Sequence, residues 1–171
     1  KLYRRYTGES LAVKLSDFAD VSERIQYLVT QVEEITKIDN FGAYLTAMLE
    51  IDAFFMNEDR HTNNIAVIYN EKTQKYELSP FFDQGLCMFA DINQDYPIDQ
   101  SLEYCLEKIE AKPFSSDFDI QLDAAEELYG IQIGFQFTFK DIQIYLQKNS
   151  ENYPREVIRR VELLLRRQMR K

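Results

Sequence analysis

Apolar residues recur at steps of three and four positions after Ser16. The positions that keep this spacing are Val21, Ile25, Leu28, Val29, Val32 and Ile35. Charged residues such as Glu23 and Glu33 fall between them. Because an α-helix turns once every 3.6 residues, this spacing predicts an amphipathic helix that buries one face.

The segment from about Asn40 to Met56 is apolar on nearly every side. Its large apolar residues are Phe41, Tyr44, Leu45, Met48, Leu49, Ile51, Phe54, Phe55 and Met56. A helix with almost no polar face is normally buried all round. Residues 57–64 follow at once and include no aliphatic side chain. A buried helix that ends in a polar loop is typical of a scaffold that carries chemically active residues.

A short hairpin is predicted after this loop. Residues 65–69 form the first predicted strand, 70–74 a turn and 75–78 the returning strand. The chain then passes through Pro80 to Asp83-Gln84-Gly85, where a carboxylate follows two phenylalanines. The hairpin therefore has polar residues at both of its ends.

The rest of the chain is expected to be mainly helical. Helices are predicted over about 99–111, 117–129, 138–149 and 154–170. Thr138, with Asp141 three residues later, predicts a capping box at the start of the third of these. Residues 1–6 and 11–15 are predicted to form two short extended pieces around the polar turn at 7–10.

Length and charge restrict the class of protein. The 171 residues, 45% of them hydrophobic, predict one domain spanning 1–171 with a sizeable core. The net charge is −9, but 155–171 holds seven basic and two acidic residues, so 1–154 carries −14. An acidic body argues against direct nucleic-acid binding. The basic last helix is either a solvated face or a docking face for an acidic partner or another lobe.

The cysteines and the apolar runs indicate the compartment. Cys87 and Cys105 are too few for a disulfide scaffold or a four-thiolate zinc site, and we expect both to be packed thiols. No apolar run is long enough to span a bilayer. No secretory segment opens the sequence, which begins at Lys1 rather than at a methionine. We therefore expect a cytoplasmic protein that does not contact the membrane.

Three polar residues at the ends of the hairpin form a candidate site. Asp59 and Asn64 lie on one loop, and the hairpin is expected to bring Asp83 back beside them. In phosphoryl transfer, one carboxylate orients the attacking hydroxyl group, while an amide oxygen and a second carboxylate hold magnesium. Magnesium often takes only one or two protein ligands, because phosphates and water complete its octahedron.

These residues resemble two motifs of protein kinases. The spacing from Asp59 to Asn64 is similar to the Asp-x-x-x-x-Asn catalytic loop, and Asp83-Gln84-Gly85 resembles the Asp-Phe-Gly metal motif. The longer pattern Asn57-x-Asp59-x-His61-x-x-Asn64, followed by Ser79-Pro80-Phe81-Phe82-Asp83, resembles the HipA-like serine/threonine kinases, which include bacterial toxin kinases and CtkA-type kinases. The specific motifs cover about residues 52–85. Residues 2–6 and 15–18 also resemble the segment after the hinge in that family.

The resemblance implies a mainly α, kinase-like C-terminal lobe in which the small hairpin carries the site. It implies ATP- and Mg²⁺-dependent transfer of phosphate to protein serine or threonine. Asp59 would be the catalytic base, and His61 would lie near the transferred phosphate. Asn64 and Asp83 would bind the metal and the nucleotide. The implied partners are a protein substrate, an upstream N-terminal lobe and an antitoxin-like or other regulatory protein.

Some residues depart from the family pattern and leave alternatives open. Asn63 stands where HipA-like loops usually have a basic residue, and Gln84 replaces the aromatic residue of the metal motif. No glycine-rich loop or paired strand lysine precedes Asp59, so the chain alone is expected to be weakly active or inactive. One alternative is a pseudokinase-like protein-interaction module. Another is a phosphoinositide-kinase-like lipid kinase, because Asp59-Arg60-His61-x-x-Asn64 also resembles that catalytic loop.

Two further residues of the loop have more than one predicted role. Asn57 either caps the end of the preceding helix or supports Asp59. Arg60 either pairs with an acidic residue such as Asp91 or lies in solvent. His61 is either a structural histidine or a contact of the phosphate.

Overall fold

The structure, a computed structural model, describes residues 1–170 and is mainly helical. The helices are α1 (Leu2–Thr7), α2 (Leu11–Ser16), α3 (Val21–Thr36), α4 (Phe41–Phe55), α5 (Leu102–Lys108), α6 (Phe118–Tyr129), α7 (Phe139–Lys148) and α8 (Arg155–Gln168). The strands are β1 (Val67–Asn70) and β2 (Lys75–Leu78), preceded by a 3-10 turn at Thr62–Asn64. The prediction of a mainly α fold with one small hairpin is confirmed.

Helix α4 lies at the centre of the molecule. None of its fifteen residues is exposed, which confirms the prediction of a helix buried on all sides. Its closest neighbour is α6: a Cβ atom built on Gly42 would lie 2.4 Å from ring carbons of Tyr129. The hydroxyl group of Thr46 donates to the carbonyl oxygen of Gly42 at 3.0 Å, which satisfies this polar group inside the interface. Glycine at position 42 therefore lets the two helices pack closely.

Two apolar cores hold α4 in place. The first core packs α2, α3 and α6 against the N-terminal two thirds of α4. The second core packs the C-terminal end of α4 against α5, α8 and the 88–96 segment. The polar loop at 57–64 begins where α4 ends, beside the second core. The first residues of the loop are therefore held in place by the packing around the end of this helix.

The N-terminal prediction is wrong, because residues 2–7 and 11–16 are helical rather than extended. Helix α1 ends at Gly8, whose left-handed backbone (φ 80°) lets its N–H donate to the carbonyl oxygen of Arg4 at 2.9 Å. The hydroxyl groups of Tyr3 and Tyr27 lie 2.8 Å apart, which attaches α1 to α3. Six-residue helices are set by such packing rather than by their own propensity.

The later helices lie close to their predicted bounds. The capping box at the start of α7 is present: Thr138 and Asp141 each accept from the backbone N–H of the other. Helix α5 is shorter at both ends than the predicted 99–111. On α8 most of the arginines are exposed, but Arg160 is buried and donates to the carbonyl oxygen of Tyr96 at 2.8 Å. Within residues 1–170, none of the helices combines the length and the apolar character that crossing a membrane requires.

The hairpin is antiparallel, with Val67 opposite Leu78 and Asn70 opposite Lys75. The second strand has its predicted bounds, whereas the first begins two residues later than predicted and ends at Asn70. The pairing of Val67 with Leu78 returns the chain to the side from which it left the 57–64 loop. This topology places the segment that contains Asp83 next to that loop.

Candidate functional site

The 57–64 loop is folded back on itself directly after α4. The helix ends because Met56 adopts a left-handed backbone (φ 53°) and the N–H of Asn57 donates to the carbonyl oxygen of Asp52 at 2.9 Å. Two short turns follow: His61 N–H donates to Asp59 O, and Asn64 N–H donates to His61 O, both at 2.8 Å. The turns bring the two ends of the loop into contact.

Asp59 and Asn64 meet inside this fold. Asn64 is 5% exposed, and its Nδ2 donates to the backbone oxygen of Asp59 at 2.9 Å. The same nitrogen lies 3.5 Å from Oδ2 of the Asp59 carboxylate. Because the loop uses the amide nitrogen, Oδ1 is the atom of Asn64 that is left for a ligand. The structure thus brings two of the predicted site residues together.

His61 lies beside Asp59 at the surface. Its Nε2 is 3.9 Å from Oδ1 of Asp59, which is too far for a hydrogen bond but close enough for an ion pair when the imidazole is protonated. The His61 side chain is 44% exposed, and that of Asp59 is 27% exposed. Both groups are therefore accessible to a molecule in solution. The other ring nitrogen, Nδ1, is buried and has no hydrogen-bond partner among residues 1–170.

A buried ion pair fixes the position of the loop. Arg60 and Asp52 are both fully buried. Arg60 Nε donates to Asp52 Oδ2 at 2.7 Å, and Nη2 donates to Asp52 Oδ1 at 3.0 Å. This bidentate geometry is the strongest arrangement available to an arginine and a carboxylate. The pair connects the last turn of α4 to the centre of the loop.

Arg60 also connects the loop to the segment of Asp83. Its Nη1 donates to the carbonyl oxygens of Asn64 at 2.8 Å and of Phe82 at 3.0 Å. One guanidinium nitrogen therefore holds the backbone of Asn64 and the residue before Asp83 at the same point. Because the donors of a guanidinium have fixed directions, this contact sets the relative position of the two segments.

Asp83 is exposed and directly follows Phe82, whose carbonyl oxygen accepts from Arg60. Its backbone is left-handed (φ 59°), a conformation that costs about 1–3 kcal/mol in a residue other than glycine. Among residues 1–170, no hydrogen bond or ion pair holds its carboxylate. The structure places Asp83 beside the Asp59–Asn64 loop through Phe82, and it records no direct bond from Asp83 to either residue. The fold therefore maintains an unfavourable backbone here.

Asn57 and Gln84 complete the buried network. Asn57 Nδ2 donates to Asp52 Oδ1 at 2.7 Å and to Gln84 Oε1 at 3.2 Å. The side-chain oxygen of Asn57 accepts from the backbone N–H of Asp59 at 3.2 Å. Asn57 therefore supports Asp59, one of its two predicted roles. Gln84 supplies an acceptor to this network.

Cys87 also contacts this network, through Gln84. Its Sγ lies 3.4 Å from Gln84 Oε1, and burial, reinforced by the charge of Asp52, raises the pKa of its thiol to about 12. Cys105 is also buried, and burial raises the pKa of that thiol too. The prediction of two packed thiols is confirmed.

Both predictions for the surroundings of Arg60 are wrong. It neither pairs with Asp91 nor lies in solvent, because it is buried against Asp52. The Asp91 carboxylate instead accepts from the backbone N–H groups of Asn93 at 3.3 Å and Gln94 at 3.1 Å.

Sequence reasoning missed Asp52, the acid that anchors the loop. The available signal was an aspartate inside a helix with almost no polar face. A buried carboxylate requires a cation or several donors, and Arg60 is the first basic residue after it.

The oxygen atoms of this site match the preferences of a hard cation. The carboxylate of Asp83 and the amide oxygen of Asn64 belong to the ligand types that magnesium takes. Among residues 1–170, no three or more His, Cys, Asp or Glu side chains are grouped so that they hold a metal ion by themselves. A cation at this site would therefore need further oxygen ligands, such as phosphates or water.

Comparison with protein-family models, with curated proteins and with solved structures found no match to the chain.

Proposed function

We propose that the 57–64 loop and Asp83 form the catalytic centre of an ATP- and Mg²⁺-dependent phosphotransferase. By the sequence resemblance, the chain would be the C-terminal lobe of a HipA-like serine/threonine kinase. The observation that carries the proposal is the position of Arg60, whose Nη1 holds the Asn64 carbonyl and the residue before Asp83 together. Asp59 lies in contact with Asn64 at the same point.

Each residue has a role that its surroundings support. Asp59 is partly exposed, so its carboxylate can orient a substrate hydroxyl group and accept its proton. His61, at 3.9 Å from Asp59, is near enough to contact a phosphate at the same place. Asn64 Oδ1 and Asp83 would hold Mg²⁺. When bound, it would supply positive charge that offsets the charge of the nucleotide phosphates.

The rigidity of the site favours catalysis. Phosphoryl transfer depends on positioning and on electrostatic stabilisation more than on covalent chemistry by the protein. The loop has no aliphatic side chain, but the buried hydrogen bonds of Arg60, Asp52 and Asn57 fix its backbone. Groups that are already held in place need little reorganisation when the substrate binds.

The test measures binding and phosphate transfer separately, in the whole protein that carries this chain. We expect ATP to raise the melting temperature more with Mg²⁺ than without it. Asp83→Asn retains a residue that tolerates the left-handed backbone but removes the charge, so we expect the Mg²⁺-dependent part of this shift to disappear. Asp59→Asn should retain the shift and lose transfer of labelled phosphate from ATP to serine and threonine peptides.

Asp99→Asn serves as the matched control, because it removes one carboxylate charge from an exposed position outside the proposed site. This variant should bind and transfer as the natural protein does. Full transfer by Asp59→Asn would refute the proposal. No Mg²⁺-dependent shift in the natural protein would indicate the interaction module instead. Transfer to phosphoinositide in vesicles, without transfer to peptides, would indicate the lipid kinase.

A further inference from the structure

A cavity lies away from the proposed catalytic loop, among α4, α6, the end of α8 and the 133–137 segment. Its volume is about 390 Å³. The lining residues that matter here are Glu50, Phe54, Glu126, Phe135 and Phe137. None of Asp59, His61, Asn64 or Asp83 contributes to it.

Glu50 lines this cavity, and one of its carboxylate oxygens is buried without a partner. The residue is 5% exposed, and its Oε1 accepts from the backbone N–H of Gln132 at 2.7 Å. Its Oε2 is buried and has no hydrogen-bond partner among residues 1–170. A buried ionised oxygen is costly when nothing donates to it, so native proteins nearly always satisfy such a group. A ligand that donates to this carboxylate, above all a cation, would therefore be stabilised in the cavity.

A second carboxylate faces the same space. Glu126 lines the cavity, and burial, together with the nearby charge of Glu50, raises the pKa of its carboxyl group. The two acids are therefore close enough to repel each other. A cation between them would remove this repulsion and would gain from both charges.

Three phenylalanine rings form an aromatic wall. The ring centroids of Phe54 and Phe135 are 4.5 Å apart, those of Phe54 and Phe137 are 5.6 Å apart, and those of Phe135 and Phe137 are 5.5 Å apart. The faces of aromatic rings attract cations, and they also bury the alkyl chain that carries a cation. Phe135 is 41% exposed, so the wall reaches the surface and leaves an entrance.

We propose that this cavity binds a primary alkylammonium group, with the Glu50 carboxylate as its main acceptor and the three phenylalanine rings around its alkyl chain. A metal ion suits the cavity poorly, because hard cations need many oxygen ligands and the wall is aromatic. A guanidinium group prefers both oxygens of one carboxylate, and Oε1 of Glu50 is already used by Gln132. An ammonium group is a compact charge that needs only one oxygen from each acid.

The test is calorimetric titration of the natural chain with n-pentylammonium chloride, with n-hexanol as a neutral probe of similar length. We expect the ammonium compound to bind at least tenfold more tightly than the alcohol. Glu50→Gln should weaken ammonium binding at least tenfold and leave the binding of the alcohol nearly unchanged. Phe135→Leu, at a partly exposed position, should weaken the binding of both probes.

Glu127→Gln is the matched control, because it removes the same charge from an exposed position on α6, next to Glu126. We expect this variant to bind both probes as the natural chain does. A second titration with an acetylated Gly-Lys-Gly peptide amide distinguishes the sources of the ammonium group. Binding of the peptide indicates a lysine side chain of a partner protein, whereas binding of n-pentylammonium alone indicates a free amine. Equal affinity for the ammonium compound and the alcohol would overturn the proposal, as would full ammonium binding by Glu50→Gln.

Discussion

Replacing Arg60 tests whether the buried ion pair holds the polar loop in place. Arg60→Met keeps most of the volume of the side chain and removes all of its donors. The change eliminates two hydrogen bonds to Asp52, at 2.7 and 3.0 Å, and two to the carbonyl oxygens of Asn64 and Phe82, at 2.8 and 3.0 Å. The carboxylate of Asp52 then stays buried with only the side-chain amide of Asn57 as a donor.

The expected loss of stability is large, because both charged groups are fully buried. Removing one member of a buried ion pair typically costs about 3–5 kcal/mol, since the other charge is left without compensation. The two carbonyl groups that lose a donor add to this cost. A domain has about 5–15 kcal/mol of stability in total, so the Arg60→Met variant should still fold but should be markedly less stable. We expect the free energy of unfolding to fall by about 4 kcal/mol or more.

A double-mutant cycle separates the ion pair from the other contacts. The four proteins are the natural chain, Arg60→Met, Asp52→Leu and the double variant, each unfolded in urea at 25 °C and followed by circular dichroism. Apolar replacement of both partners removes the unpaired charge, so the double variant should be more stable than either single variant. Its remaining loss should be about 2 kcal/mol, from the unpaired carbonyl groups. Arg159→Met, at an exposed position of α8, is the control and should change little.

Two results would refute this reasoning about the ion pair. A loss below about 1 kcal/mol for Arg60→Met would be no larger than that of an exposed ion pair. A double variant that loses the sum of both single losses would show that Arg60 and Asp52 act independently.

Two further predictions concern packing and thiol reactivity. Gly42→Ala should lower the free energy of unfolding by about 1 kcal/mol, because the clash of its Cβ with Tyr129 exceeds the gain in helix propensity. Urea unfolding measures this change, with Gly85→Ala as a control in which the added Cβ meets no atom within 4 Å. An increase in stability would contradict the prediction. Cys87 should not react with a disulfide reagent at pH 8 in the folded chain, because burial raises the pKa of its thiol to about 12 and keeps it protonated. The contribution of the protonated thiol to stability is complete below the unfolded pKa of about 8.5 and is lost as the pH rises toward 12. A Cys105→Ala variant leaves Cys87 as the thiol that is labelled. Rapid labelling of this variant before it unfolds would contradict the prediction.

The elements that could be predicted from the sequence are those whose evidence is local. The three- and four-residue spacing of α3 and the apolar composition of α4 mark helices regardless of what packs against them. The second strand and the capping box of α7 also follow from residues that are neighbours in the chain. The contact of Asp59 with Asn64 belongs to this group, because both residues lie on one short loop.

The features that could not be predicted depend on contacts between distant segments. Helices α1 and α2 are six residues each, and α1 is attached by the Tyr3–Tyr27 contact, which no local pattern contains. The burial of Arg60 depends on the fold of α4 around Asp52 and on the return of Phe82 through the hairpin. The left-handed backbone of Asp83 is likewise decided by its surroundings.

The stability of the candidate site and its geometry therefore depend on the same atoms. Because residues 57–64 carry no aliphatic side chain, apolar packing cannot fix the loop, and buried hydrogen bonds must do so. Arg60 Nη1 is the point at which these bonds join the Asn64 carbonyl to the segment of Asp83. A buried polar network of this kind contributes little net stability compared with an apolar core, but it permits one arrangement of its members. An Asp52→Leu/Arg60→Met protein could recover stability, yet it would lose the connection between the loop and Asp83. Such a protein would be well folded and would fail the Mg²⁺-dependent nucleotide test, which separates the role of the ion pair in positioning the site from its role in folding.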